Sequence, residues 1–350
     1  MHPILKKYFA LIKRFMPEKP KGTTIGLDIS SCECRFVELA KIDETFKIVN
    51  WAVEKIEKGN TKEALTKLTQ RFSSPKATIY SSVFGKGTLI RYIDLPRMSQ
   101  NDLNNSFALE ADKYFPFSSD QIYSDCHILD PQGKGKQMSV LAAAATKEII
   151  DNRIKLFKEA EMNVEFIGLN PIAIANVFNT IPEAKQETLV PIALLDMGEN
   201  ITSLTIISEG LPKFTRDIFM GSQDLLKRIA NALGMGVPEV FEIIRNPGEM
   251  KGEILKACES ALQSIIQEIK LSFDYFTTEK NNEIHSLLFT GEGALISGID
   301  ENLGKNLDIK VKKWDPLKIV GISEEIKSAD LEKNSMKLAV ALGLALYDYD

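Results

Sequence analysis

Asp28 and Asp196 hold equivalent places in two similar stretches of the chain. Each closes an apolar run, Thr24-Ile25-Gly26-Leu27-Asp28-Ile29 and Ile192-Ala193-Leu194-Leu195-Asp196-Met197. Each run leads into a turn of small or polar residues, Ser30-Ser31 and Gly198-Glu199-Asn200, and a second strand-like run follows. The pattern reads as two β-hairpins, each with an acid beside its turn. Such turns aim backbone amides inward and can surround an anion without bulk. Ser30, Ser31, Gly198 and Asn200 are the turn-permissive positions for this. Mg²⁺ prefers oxygen ligands and keeps several waters, so Asp28 and Asp196 could hold it through water. The chemistry implied is binding of a nucleotide triphosphate with its metal between two related half-domains.

A third element is Phe289-Thr290-Gly291-Glu292-Gly293-Ala294-Leu295, a strand entering a glycine turn. Glycine lets the backbone approach a flat base or a sugar. The segment is neither a dinucleotide fingerprint nor a Walker A loop, since it lacks the leading βαβ unit and a following Gly-Lys-Ser/Thr.

Composition narrows the class. The 350 residues are 44% hydrophobic and 26% charged, with a net charge of -5, which suits a soluble globular protein and argues against bulk nucleic-acid binding. Four cysteines and three unclustered histidines make a disulfide framework or a zinc site a poor fit and favour a reducing, cytosolic setting. Cys32 and Cys34, two apart on an expected strand, are expected to share a face. No apolar stretch approaches the ~20 residues that span a bilayer. Residues 3–16 form a basic amphipathic helix on the wheel, with Leu5, Tyr8, Phe9, Ile12, Phe15 and Met16 opposite Lys6, Lys7, Lys13 and Arg14. That helix suits an anionic membrane surface or docking on protein.

These elements must be positioned by a larger frame. Strands are expected at 23–29, 33–41 and 45–53, a helix at 61–72, and strands at 77–83 and 88–95. An α-β-β-α-β block, 97–167, reads as a small inserted subdomain. The second half repeats the hairpin from Pro191, then carries helices over 222–233, 237–245 and 253–279, a strand at 284–289, and an apolar helix at 336–346. The expected organisation is a basic segment and linker (1–21), a first lobe (22–96 plus 168–190), the inserted subdomain (97–167), and a second lobe (191–225 plus 284–350) with a helical subdomain (226–283). Strands alternating with helices in two halves that begin alike give an α/β fold class.

Taken together, the two hairpins and the glycine turn resemble the actin-like ATPase superfamily, whose phosphate 1, phosphate 2 and adenosine elements come in this order. Within it the chain resembles the PilM family of type IV pilus assembly, with the FtsA cell-division proteins as near relatives. The residues carrying this are Ile25-Gly26-Leu27-Asp28-Ile29, Glu110-Ala111-Asp112-Lys113-Tyr114-Phe115-Pro116-Phe117, Ala142-Ala143-Ala144-Ala145-Thr146-Lys147-Glu148, Leu195-Asp196-Met197-Gly198 and Thr290-Gly291-Glu292-Gly293-Ala294-Leu295-Ile296.

The resemblance implies a bilobed actin-like fold, two RNase H-like lobes with a small α/β insertion in the first, and ATP with Mg²⁺ in the central cleft. Cys32, Arg35, Thr202, Gly221, Gly291, Gly293 and Ala294 then join the two hairpin turns as expected nucleotide contacts. The implied partner is the cytoplasmic tail of a PilN-like inner-membrane protein, with the pilus motor ATPases beyond it. The implied location is cytoplasmic, peripheral on the inner face of the membrane. An FtsA-like, membrane-tethered filament is the alternative. The chain also departs from the family. Ser30 replaces the first turn's glycine, Arg35 stands at a lysine position, and Glu199 replaces a small residue. Glu33 is expected to point away from the cleft by strand alternation. Asn170-Pro171 stands where the FtsA pattern has Glu-Pro. Asparagine orients water but accepts no proton, so slow or absent turnover follows. Asn170 is also read as a helix N-cap.

Overall fold

The computed structural model describes residues 22–42, 45–74, 76–180, 190–245, 248–326 and 328–347. The amphipathic segment 3–16 and most of the polar connection after Thr180 lie outside them.

Along the chain, β1 (Thr24–Ile29), β2 (Glu33–Ile42) and β3 (Thr45–Lys55) form an antiparallel meander. Helix α1 (Thr61–Thr69) leads to β4 (Thr78–Val83), which returns parallel to β1. Asn60 starts α1 by accepting from the Glu63 amide. Next come β5 (Thr88–Pro96), α2 (Gln100–Glu110), β6 (Ile122–Ile128), β7 (Gln137–Thr146), α3 (Lys147–Glu159), β8 (Val164–Leu169) and α4 (Asn170–Asn179). Ser99 caps α2 through the Asp102 amide, as its place before the helix predicts. The second half holds β9 (Ile192–Met197), β10 (Thr202–Ser208), β11 (Leu211–Ile218), α5 (Ser222–Leu233), α6 (Val237–Arg245), α7 (Lys251–Lys280), β12 (Ser286–Thr290), α8 (Ile299–Leu307), β13 (Lys310–Lys313), β14 (Gly321–Ile322), α9 (Ser328–Asn334) and α10 (Ala339–Ala345).

The two large sheets repeat one plan. In the first the order is β14-β3-β2-β1-β4-β8, and in the second β11-β10-β9-β12-β13. Each has an antiparallel meander whose first strand pairs in parallel with a later strand, and that strand pairs in parallel with one later still. Their central strands are buried on both faces, which is why β1 and β9 read as apolar runs rather than strict alternation. A third sheet, β5-β7-β6, stands apart. Strand β5, assigned to the first lobe on sequence, pairs with β7 over its whole length, while β8 joins the first sheet.

Helices α4 and α10 lie between the two large sheets. Their core joins Val37, Leu39 and Ile48 of the first sheet to Ile192, Leu194 and Ile207 of the second. Close approach is built from small residues. A Cβ on Gly26 would lie 1.8 Å from the Ala341 carbonyl oxygen, and one on Gly343 would lie 2.0 Å from that of Ala173. The terminal apolar segment is a 3₁₀ turn, Ser335–Leu338, before α10, so it places Lys337 at the cleft.

A candidate nucleotide cleft closed by its own side chains

The two hairpins share one register. Asp28 pairs with Arg35 across β1 and β2, and Asp196 with Ser203 across β9 and β10. The Ser30 amide donates to the Glu33 carbonyl at 2.9 Å, and the Gly198 amide to that of Ile201 at 3.0 Å. Ser30 also accepts from the Glu33 amide at 3.0 Å and donates to the Glu33 carbonyl at 2.9 Å. The serine hydroxyl therefore braces the turn that glycine usually makes, and is not free for a ligand.

Both turns open on one cavity of about 200 Å³. Asp28, Ser30, Ser31, Arg35, Asn170, Asp196, Gly198, Asn200 and Gly291 line it. Phe84, Glu199, Ile201, Ser203, Glu292, Lys337 and Val340 line it too, and were not singled out as contacts on sequence. The volume falls below the ~300–1,000 Å³ usual for ligand pockets.

The remaining expected contacts do other work. Thr202 donates to the Met220 carbonyl at 2.8 Å and ties β10 to the chain before α5. A Cβ on Gly221 would lie 2.3 Å from the Glu199 carbonyl oxygen, so this glycine lets the second turn seat against α5. The Ser222 and Gln223 amides donate to the Gly198 and Glu199 carbonyls there. Gly293 packs on Met197, and Ala294 is buried. Cys32 is exposed in the turn while Cys34 is fully buried, so the two do not share a face. The turn ends after Cys32, and only from Glu33 does strand alternation begin.

Glu33 is a second correction. It sits two residues from Arg35, on the same face of β2, and points toward the cleft side rather than away. Its carboxylate meets Arg35 Nε at 3.2 Å and Lys337 Nζ at 3.1 Å. Arg35 also reaches Glu199 at 3.0 Å and Asp28 at 3.5 Å. Lys337 also reaches Glu292 at 3.0 Å. Asn170 is a third correction. It is the first residue of α4, its side chain makes no cap, and its Oδ1 accepts from the Ser82 hydroxyl at 2.7 Å.

Charge in the cleft is uneven. Asp28, Glu33, Asp196, Glu199 and Glu292 face Arg35 and Lys337. Burial, reinforced by Asp28, pushes Asp196 up to about 7. Burial also raises Asp28, against the pull of Arg35 and Arg153. Burial works against Glu33's charge as well, but Arg35 and Lys337 outweigh it and hold Glu33 below its ordinary value. Two acceptor atoms, Asp28 Oδ1 and Glu292 Oε2, are buried with no hydrogen-bond partner among the described residues. Buried acceptors of this kind call for a donor or a cation beside each. Oxygens of Glu33, Glu199 and Glu292 also lie within 4.8 Å of one another, with the Lys337 ammonium already between two of the three.

The comparisons with known proteins show the family and the fold. The profile of the family described as "Type IV pilus assembly protein PilM" matches residues 26–349. The chain belongs to that family. A solved chain of a PilM-PilN type IV pilus biogenesis complex superimposes with a TM-score of 0.80, at 21% identity, over 95% of this chain and 100% of that one. The ethanolamine utilization protein EutJ from Carboxydothermus hydrogenoformans gives a TM-score of 0.52 at 13% identity, over 98% of each chain. MreB5 of Spiroplasma citri bound to AMPPNP gives 0.53 at 12% identity, over 95% of this chain and 97% of that one. The fold of this family member is therefore actin-like. Among curated sequences, the cell division protein FtsA of Borreliella burgdorferi is 24% identical over 226 residues, 57% of this chain. That match spans only 52% of FtsA. No helix of the described residues is long and apolar enough to cross a membrane.

Proposed function

We propose that this chain is an ATP-binding scaffold of type IV pilus assembly or a related secretion machine. In this reading it sits at the inner face of the cytoplasmic membrane, holds the cytoplasmic tail of a PilN-like protein, and links it to the motor. The observation that carries the reading is the likeness, over nearly the whole chain, to a chain solved as a PilM-PilN complex. A pull-down with a PilN-like cytoplasmic peptide is expected to retain the protein; no retention at micromolar concentrations rejects the partner.

The nucleotide part rests on the cleft. The hairpin donors Cys32 N–H, Ser31 Oγ and Arg35 are of the kind that hold phosphates, and Asp28 and Asp196 would hold Mg²⁺ through water. The ion, when bound, supplies positive charge to offset the phosphates and the cleft's acids. Asn170 is committed to Ser82 and carries no proton-accepting group, which favours binding over turnover. The partial likeness to FtsA keeps a filament-forming actin homologue as the second reading. ATP-dependent sedimentation with polymers in electron micrographs would favour it.

A further inference from the structure

The tips of the two hairpins touch. Glu199, in the second turn, is 4% exposed. Its Oε2 accepts from the Cys32 amide at 3.1 Å and from the Ser31 hydroxyl at 3.1 Å, both in the first turn. Its Oε1 accepts from Arg35 at 3.0 Å. Asn200 donates to the same Ser31 hydroxyl. A backbone amide, a hydroxyl and a guanidinium around one carboxylate form an anion site, and here the anion belongs to the opposite lobe. Beside it, the Lys337 ammonium bridges Glu33 and Glu292, whose oxygens lie within 4.8 Å of a Glu199 oxygen.

We propose that Glu199 is an internal phosphate mimic, a carboxylate latch that fills the first hairpin's anion site and holds the lobes together until a nucleotide displaces it. This rests on the nucleotide reading of the cleft and adds its regulation. A phosphate and Glu199 cannot share those donors, so each phosphate contact made costs a bridge between the lobes. Seating of Gly198 and Glu199 carbonyls on the start of α5 carries the release of Glu199 into the second lobe. The small cavity is that of the latched form.

Glu199→Gln keeps the side chain's shape, removes its charge, and presents an amide donor among donors. Binding of a fluorescent ATP analogue with Mg²⁺ is expected to tighten at least tenfold in E199Q. A change of less than twofold, or weaker binding, overturns the latch. Spin labels at Thr66 and Lys227, one on each lobe, in a Cys32→Ser background, give a readout without nucleotide. E199Q is expected to lengthen or broaden that distance distribution. If neither protein binds nucleotide, the nucleotide reading fails. The spin-label distances then decide the latch alone, and an unchanged distribution overturns it. Glu199→Ala, which leaves no group to pair, serves where E199Q does not fold and carries the same expectations.

Discussion

Asp196 sits beside its hairpin turn, partly buried at the cleft, with Asp28, Asp217 and the partly compensating Arg35 as its charged neighbours. Its carboxyl is raised to about 7 from an unfolded value near 3.8, chiefly by burial. A raised acid favours the fold while protonated, so its contribution is fully present below the unfolded value. It is lost as pH rises toward 7. Asp196→Asn is therefore expected to change stability little at pH 4 and to stabilise by ~1–4 kcal/mol at pH 8. Urea melts of both proteins across that range check it, and a pH-independent difference would reject the assignment. Such a site gains from a nearby cation, in keeping with a role through bound Mg²⁺. The acids beside both turns were legible in the sequence, because an aspartate closing an apolar run is a local signal. The ion pair of Arg35 with Glu199 was not, because its partners lie 164 residues apart and no local pattern joins them. Glu199 stood out only as a misfit in a turn of small residues, and that misfit marks the most connected acid in the cleft.

The hairpins hold their acids in place because α10 and α4 press against them from between the sheets. Glycine and alanine set that spacing. Gly26 and Gly343 each face a backbone carbonyl where no Cβ fits. Gly343→Val is expected to force α10 from α4 and to destabilise by ~2 kcal/mol or more. Chemical denaturation would show it, whereas a loss under ~0.5 kcal/mol would mean the helices shift apart freely. Periodicity made the helices and both hairpins readable, including most of α7, whose buried residues recur at helical spacing from Ile254 to Phe276. It could not place β5. Its pattern suits any sheet edge, and only the pairing of Thr88 through Pro96 with β7 decides. Short-range signals likewise blurred the segment before α10, where a 3₁₀ turn rather than a continuous helix carries Lys337 into the cleft.

At the scale of the whole molecule, two contacts between the lobes stand out among the described residues besides the core around α4 and α10. One is the contact of the hairpin tips. The other lies between the small sheet and the second lobe, where the Tyr92 hydroxyl on β5 meets the Thr215 hydroxyl on β11 at 2.8 Å. Lys213 reaches Ser139 nearby at 3.4 Å. Tyr92 does not line the cleft. If nucleotide enters only when the lobes part, then loosening this distant contact raises the open fraction and tightens apparent binding with no change in the site itself. Tyr92→Phe removes one hydrogen bond of ~1 kcal/mol, equivalent to about a fivefold shift. Apparent affinity for the ATP analogue is thus expected to rise by a few-fold in Y92F, and further in E199Q/Y92F, because the two contacts share no residues. Affinity unchanged in Y92F, alongside a measurable loss of stability, would show that the small sheet moves with the second lobe. Entry would then depend on other contacts, the hairpin tips first among them.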